Sequence, residues 1–165
     1  MKRRLVLLLG LLLPMSLSAA DPGRDEIATV NVVVFHATNG DPSVAGDKVR
    51  NVSEETRRWL SAHEKLKFDH YRVLGFDDKP LFRSYENWAQ PIKGSDEILC
   101  RFEVESLKSD DAVRIDFELW LSRKKILKSG VMLTTGKPVF VLGPEWRGGR
   151  MIVSVELAPK ADKGQ

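Results

Sequence analysis

The chain has too few cysteines for a disulfide. Cys100 stands alone among 165 residues, so no internal bridge can form and the fold must rest on its apolar core. Its strand neighbours place Cys100 facing inward, where a thiol behaves as a small hydrophobe. Histidine is almost as scarce. His36, His63 and His70 follow no metal-ligand spacing, and His63-Glu64 lacks the second histidine of a zinc helix motif. No metal or other cofactor is expected. Gly-x-Ser-x-Gly is absent, and the glycines of 143–149 have neither dinucleotide spacing nor a helix pattern after them. With those motifs missing, a hydrolase is the third of three functional readings. It would draw on His36, His70 or the acids Asp77, Asp78, Glu86 and Glu145.

Long apolar runs are confined to the first residues. Lys2, Arg3 and Arg4 precede Leu5 to Leu13, which only Gly10 interrupts, and Ser18-Ala19-Ala20 follows Pro14. A positive start, a short apolar stretch and small residues at its end form the pattern of a secretory signal peptide over 1–20, cleaved near Ala20. The run is shorter than the roughly 20 residues a spanning helix needs, so no transmembrane segment is expected. Export to the periplasm or the exterior follows as the expected localisation.

An excess of charge of one sign is missing as well. The chain has 26 Lys and Arg against 23 Asp and Glu. Lys2, Arg3 and Arg4 fall in the leader, which contains no acid, so 23 of each sign remain and the mature charge is zero. A neutral chain has no electrostatic footprint for nucleic acid. The basic turn Arg123-Lys124-Lys125, with Lys128, and the pair Arg57-Arg58 read as solvated surface. Asn51-Val52-Ser53 matches the glycosylation sequon, which matters only in a eukaryotic host.

What the chain does have is alternation. Ile98, Cys100, Phe102 and Val104 alternate with polar neighbours. After the break at Lys108 to Asp111, Val113, Ile115, Phe117, Leu119 and Leu121 do the same. A period of two sets one face of a strand inward and the other outward, so Ile98 to Ser122 is an antiparallel hairpin and the scaffold of the fold. Arg101 or Arg114 should pair across strands with Glu118 or Glu103. Further strands are predicted over Ile27–Thr38, Phe68–Phe76, Leu81–Tyr85, Ile126–Leu133, Val139–Leu142 and Arg150–Leu157. Turns are predicted at Asn39–Pro42, Asp77–Pro80 and Thr134–Lys137, and loops over Glu86–Glu97 and Gly143–Gly149.

One helix is predicted, capped by Ser53, with acids Glu54 and Glu55 in its first turn. Val52, Thr56, Trp59, Leu60, His63 and Leu66 form its less polar stripe, with Trp59 as the main anchor. That helix could serve as a parallel crossover between the first two strands. The expected fold is mainly β with one α-helix, an antiparallel β-sandwich or strongly curved sheet of about seven to eight strands with the helix packed on it. A half-open barrel is second. Residues 21–26 are read as a flexible lead-in, 27–157 as a single β-rich domain and 158–165 as a polar tail.

The binding candidates are aromatic and guanidinium side chains. Trp146, Arg147 and Arg150 share the turn before the last strand, and Trp and Arg are the residues most enriched in binding hot spots. The competing reading makes Trp146 a plug over the end of the sandwich. Trp120, on the polar face of the scaffold hairpin, and Trp88, in the 86–97 loop, are further candidates. The first functional expectation is a non-enzymatic envelope module that binds a protein partner, within a surface or secretion assembly. The alternative is a carbohydrate or small-ligand binder that stacks a glycan on Trp88, Trp120 or Trp146.

Overall fold

A computed structural model describes residues 25–83 and 89–158. The leader over 1–20 and nearly all of the polar tail lie outside the described residues. Nine strands are present among those described: β1 (Glu26–Thr38), β2 (Arg50–Asn51), β3 (His70–Phe82), β4 (Gln90–Ile92), β5 (Ser95–Ser109), β6 (Ala112–Leu121), β7 (Lys124–Thr134), β8 (Val139–Trp146) and β9 (Gly149–Leu157). They form a five-stranded sheet, in the order β2-β3-β1-β9-β8, and a four-stranded sheet, β4-β5-β6-β7. All strand pairings in both sheets are antiparallel. The sheets face each other as a β-sandwich, and among the described residues one α-helix, α1 (Glu54–Ser61), lies on the outer face of the larger sheet.

Alternation builds the core as expected. Phe102 of β5 lies opposite Phe117 of β6, and the two rings stack at 5.4 Å between the sheets. Ile98, Cys100, Ile115, Leu119 and Leu133 share that inner face. Val30, Val32 and Val34 of β1, with Met151, Val153 and Val155 of β9, meet them from the other sheet. Burial pushes the Cys100 thiol up to about 12, so it remains an unreactive apolar group. The outer face of β1 and β9 has its own cover. Phe35, Ala37 and Ile152 pack beneath Leu60, Leu66 and Tyr71.

Several elements depart from the sequence pattern. The turn expected at Asp77–Pro80 is strand, and it fuses two predicted strands into β3. Asp77 is buried, and Lys79 (2.8 Å) and Lys93 (3.0 Å) neutralise it, so a residue that normally breaks strands is held inside one. Pro80 fits because β2 covers β3 only at Arg72 and Val73, which leaves the Pro80 segment as a sheet edge. β2 and β4 are short strands that the pattern does not show. Glu26 already belongs to β1, so the lead-in ends one residue early. The helix is not a crossover, because β1 and β3 pair antiparallel.

The helix begins as expected, with the Thr56 amide donating to Ser53 Oγ at 3.1 Å, but it is only eight residues long. Its anchor is Leu60, fully buried, whereas Trp59 is 38% exposed. Adjacent helical positions lie about 100° apart, so only one of the two can point at the sheet. Trp59 lies instead across the rim, between Phe140 of β8 (4.0 Å) and His63 (4.2 Å).

Candidate functional site

The predicted loop 143–149 is the end of a hairpin. Trp146 and Gly149 are opposed in β8 and β9, which leaves a two-residue turn of Arg147 (φ 45) and Gly148 (φ 68). Positive φ at both central residues is the type I′ geometry that matches strand twist, and Asn-Gly is its preferred sequence. The glycine conforms and the arginine does not. An L residue other than Gly, Asn or Asp rarely sits in the left-handed region and costs about 1–2 kcal/mol there.

Buried groups of β1 hold the tip from below. Thr38 Oγ donates to the Gly148 carbonyl at 3.0 Å. His36, fully buried, donates from Nε2 to the Trp146 carbonyl at 3.2 Å, which fixes the tautomer with a bare Nδ1, an atom that has no partner. Gly149 must stay a glycine, since a Cβ there would lie 2.5 Å from both His36 Nε2 and the Ala37 carbonyl.

Burial pushes the His36 imidazole below its ordinary 6.5. The carbonyls of Trp146 and Arg147 oppose that shift, and the Arg147 charge reinforces it. The sign follows: an unfolded chain takes up a proton as pH falls through 6.5, while the folded chain resists until the lower folded value is reached. Stability is therefore full above 6.5 and declines below it. The urea midpoint of the wild type should fall between about pH 7.5 and about pH 5.5, and more steeply than that of His36→Gln.

Above this base Trp146 and Arg147 form one unit. Trp146 is half-buried against the core, edge-on to His36 at 5.8 Å. The Arg147 guanidinium lies 4.2 Å above the indole and reaches the Ala45 carbonyl and Glu97, both at 3.5 Å. The pair forms a wall between two grooves. One, of about 680 Å³, is bordered by Thr38, Asn39, Phe68 and Glu145. The other, of about 440 Å³, is bordered by Lys48, Leu74, Ser95 and Glu97. Trp146 thus plugs the sandwich end and also lines both grooves.

Arg150, half-buried, lines the first groove with Trp146 and Arg147 and donates from Nε to the Gly143 carbonyl at 3.2 Å, bridging the register shift between Leu142 and Glu145. Trp120 lies on the outer face of the four-stranded sheet and donates to Glu118 at 3.0 Å, with Lys125 over its ring at 5.4 Å. Glu118 is buried there. Burial pushes its carboxyl up, but Lys125 (2.9 Å), Trp120 and Arg101 (3.4 Å) outweigh that and hold it below its ordinary value. The Arg101–Glu118 pair is the cross-strand pair expected from alternation. Trp88 and Glu86 lie outside the described residues.

No protein-family model, curated protein or solved structure matches the chain. Function must be read from the surface alone. Among the described residues no three His, Cys, Asp or Glu side chains gather as a metal set. His36 is enclosed and bonded to backbone, Asp77 is tied to two lysines, and Glu145 is exposed beside the first groove. No helix of the described residues is long and apolar enough to cross a membrane. The residues that sequence reasoning misses are His36 and Thr38, which position the tip, and Trp59, whose place on the apolar stripe conceals its exposure.

Proposed function

We propose that the chain is a non-enzymatic, exported module of the cell envelope that binds a protein partner through the Trp146–Arg147 hairpin tip. One observation carries the reading. Arg147 occupies a left-handed position where asparagine would relax the turn, so the chain keeps a guanidinium at a local cost in stability. Strain of this kind gathers at binding and active sites. The guanidinium is preorganised on an indole, between two grooves, on a base of buried hydrogen bonds. Preorganised aromatic and arginine anchors suit a protein interface, where ordering costs limit affinity.

The carbohydrate reading has less support. A sugar stacks on an open indole face, and each described indole already has a partner: Trp59 with His63 and Phe140, Trp120 with Lys125, and Trp146 with Arg147. The hydrolase reading also has less support, since among the described residues its candidates do not meet: His36 is bonded to the Trp146 carbonyl, Asp77 to Lys79 and Lys93, and Glu145 stands beside the first groove.

Arg147→Asn tests the proposal without endangering the fold, because Asn-Gly is the preferred I′ pair. The variant should melt close to the wild type, since relief of the strained position offsets the lost contacts with Trp146 and Glu97. It should also fail to retain proteins that the wild type captures from envelope extract. Equal capture by both would remove the tip from the case.

A further inference from the structure

Two guanidinium groups border the first groove, and the chain leaves both partly uncommitted. Arg147 reaches the Ala45 carbonyl and Glu97 only at 3.5 Å, the outer limit of a hydrogen bond. Arg147 and Glu97 are each about half exposed, so water screens their attraction. Arg150 is half-buried and donates from Nε to the Gly143 carbonyl at 3.2 Å. Its two terminal nitrogens, which carry the remaining N–H groups of the fork, have no bond among the described residues.

The nearest internal acid does not claim them. Glu145 lies opposite Arg150 in the β8–β9 register, so the two side chains share a sheet face. No ion pair joins them among the described residues, since Arg150 is held to the Gly143 carbonyl, and Glu145 stays exposed at the border of the groove. A third donor borders the same groove. Asn39 accepts the Asp69 amide on Oδ1 at 2.9 Å, which leaves its Nδ2 donors unbonded. Phe68 and Trp146 supply apolar wall beside these donors.

Unbonded N–H forks next to an apolar wall fit a carboxylate, which a guanidinium holds by two parallel hydrogen bonds. On the surface of a protein partner, carboxylates are the side chains of Asp and Glu. We infer that the first groove takes an acidic side chain of the partner between Arg147 and Arg150, and that the Glu145 charge weakens its hold. The inference rests on the reading of the hairpin tip as a protein-binding site and names the chemistry of what the tip binds.

Two substitutions test it with opposite signs. Arg150→Gln removes the guanidinium and keeps a donor for the Gly143 carbonyl, because the glutamine Nε2 lies as many bonds from the backbone as the arginine Nε. Glu145→Gln removes the opposing charge at an exposed position. The probe is the capped peptide acetyl-Glu-Glu-Phe-Glu-Glu-amide, with acetyl-Gln-Gln-Phe-Gln-Gln-amide as control. The caps remove the charges of the chain ends, so the peptides differ only in side-chain carboxylates. In calorimetric titrations the wild type should bind the acidic peptide roughly tenfold more tightly than the neutral one, and added salt should shrink that difference. Arg150→Gln should weaken binding of the acidic peptide roughly tenfold. Glu145→Gln should strengthen it, and both variants should melt with the wild type. No binding of the acidic peptide, equal binding of the two peptides, or affinities that neither substitution moves overturn the inference. If Arg147→Asn still abolishes capture of a protein partner alongside any of those results, the tip remains a protein-binding site, so the two failures are told apart.

Discussion

Gly149→Ala should lower stability by about 3 kcal/mol, near the upper end of the range for inserting one carbon into a packed site. The added Cβ would lie 2.5 Å from a backbone carbonyl and from a buried imidazole. Neither can withdraw, because β1 is the middle strand of its sheet and its His36 side chain is enclosed. Relief requires β9 to part from β1 or His36 to leave its bond to the Trp146 carbonyl. Gly136→Ala is the control. It replaces a turn glycine, at φ 70, whose Cβ would meet nothing within 4 Å, so only the backbone penalty of about 1 kcal/mol applies. Urea unfolding of the two variants separates close approach from conformation. Equal losses would mean that the β1–β9 contact is looser than described.

Phe117→Ala should cost about 4 kcal/mol, at the level of buried phenylalanine truncations. Phe117 has no exposed surface and stacks on Phe102 where the two sheets meet. The same sheet offers a control in Met132, which is 42% exposed. Met132→Ala should fall within about 0.5 kcal/mol of the wild type. A Phe117→Ala loss below about 1 kcal/mol would contradict a shared core.

How much of this is legible in the sequence depends on whether a residue's environment is local. The scaffold hairpin is readable because Ile98 to Leu121 alternates along both of its strands. Its register, Phe102 against Phe117 and Arg101 against Glu118, is not, because shifts between Val104 and Ser106 and between Leu107 and Ser109 offset the strands from the pairing that the turn alone would set. Asp77–Pro80 misleads because Lys93, one of the two cations that keep Asp77 in a strand, comes from the turn after β4. Nothing in the residues around Asp77 announces it. Trp59 and Leu60 both fit the apolar stripe, and spacing alone does not rank two neighbours on it.

The candidate site is half legible. Residue type singles out Trp146, Arg147 and Arg150, and the structure brings all three to the first groove, with Arg147 on the indole and Arg150 bonded to the Gly143 carbonyl. The glycines of 143–149 suggest a loop because they are turn formers. In the fold their roles are narrower. Gly148 completes the I′ turn, and Gly149 lets β1 approach. The supports of the tip, His36 and Thr38, lie 110 residues from the carbonyls they hold. A lone histidine near the end of a β-branched strand is the only sign of them, and it points equally well to an ordinary core position.

On the proposed function, Arg147 is kept for contact with a partner and not for the fold. Binding isotherms of the wild type and Arg147→Asn to one captured partner, with thermal unfolding of both proteins, test it most directly. The dissociation constants should differ by roughly tenfold or more, as for a hot-spot arginine, while the melting temperatures agree. Superimposable isotherms, or a variant whose only change is a lower melting temperature, would contradict it.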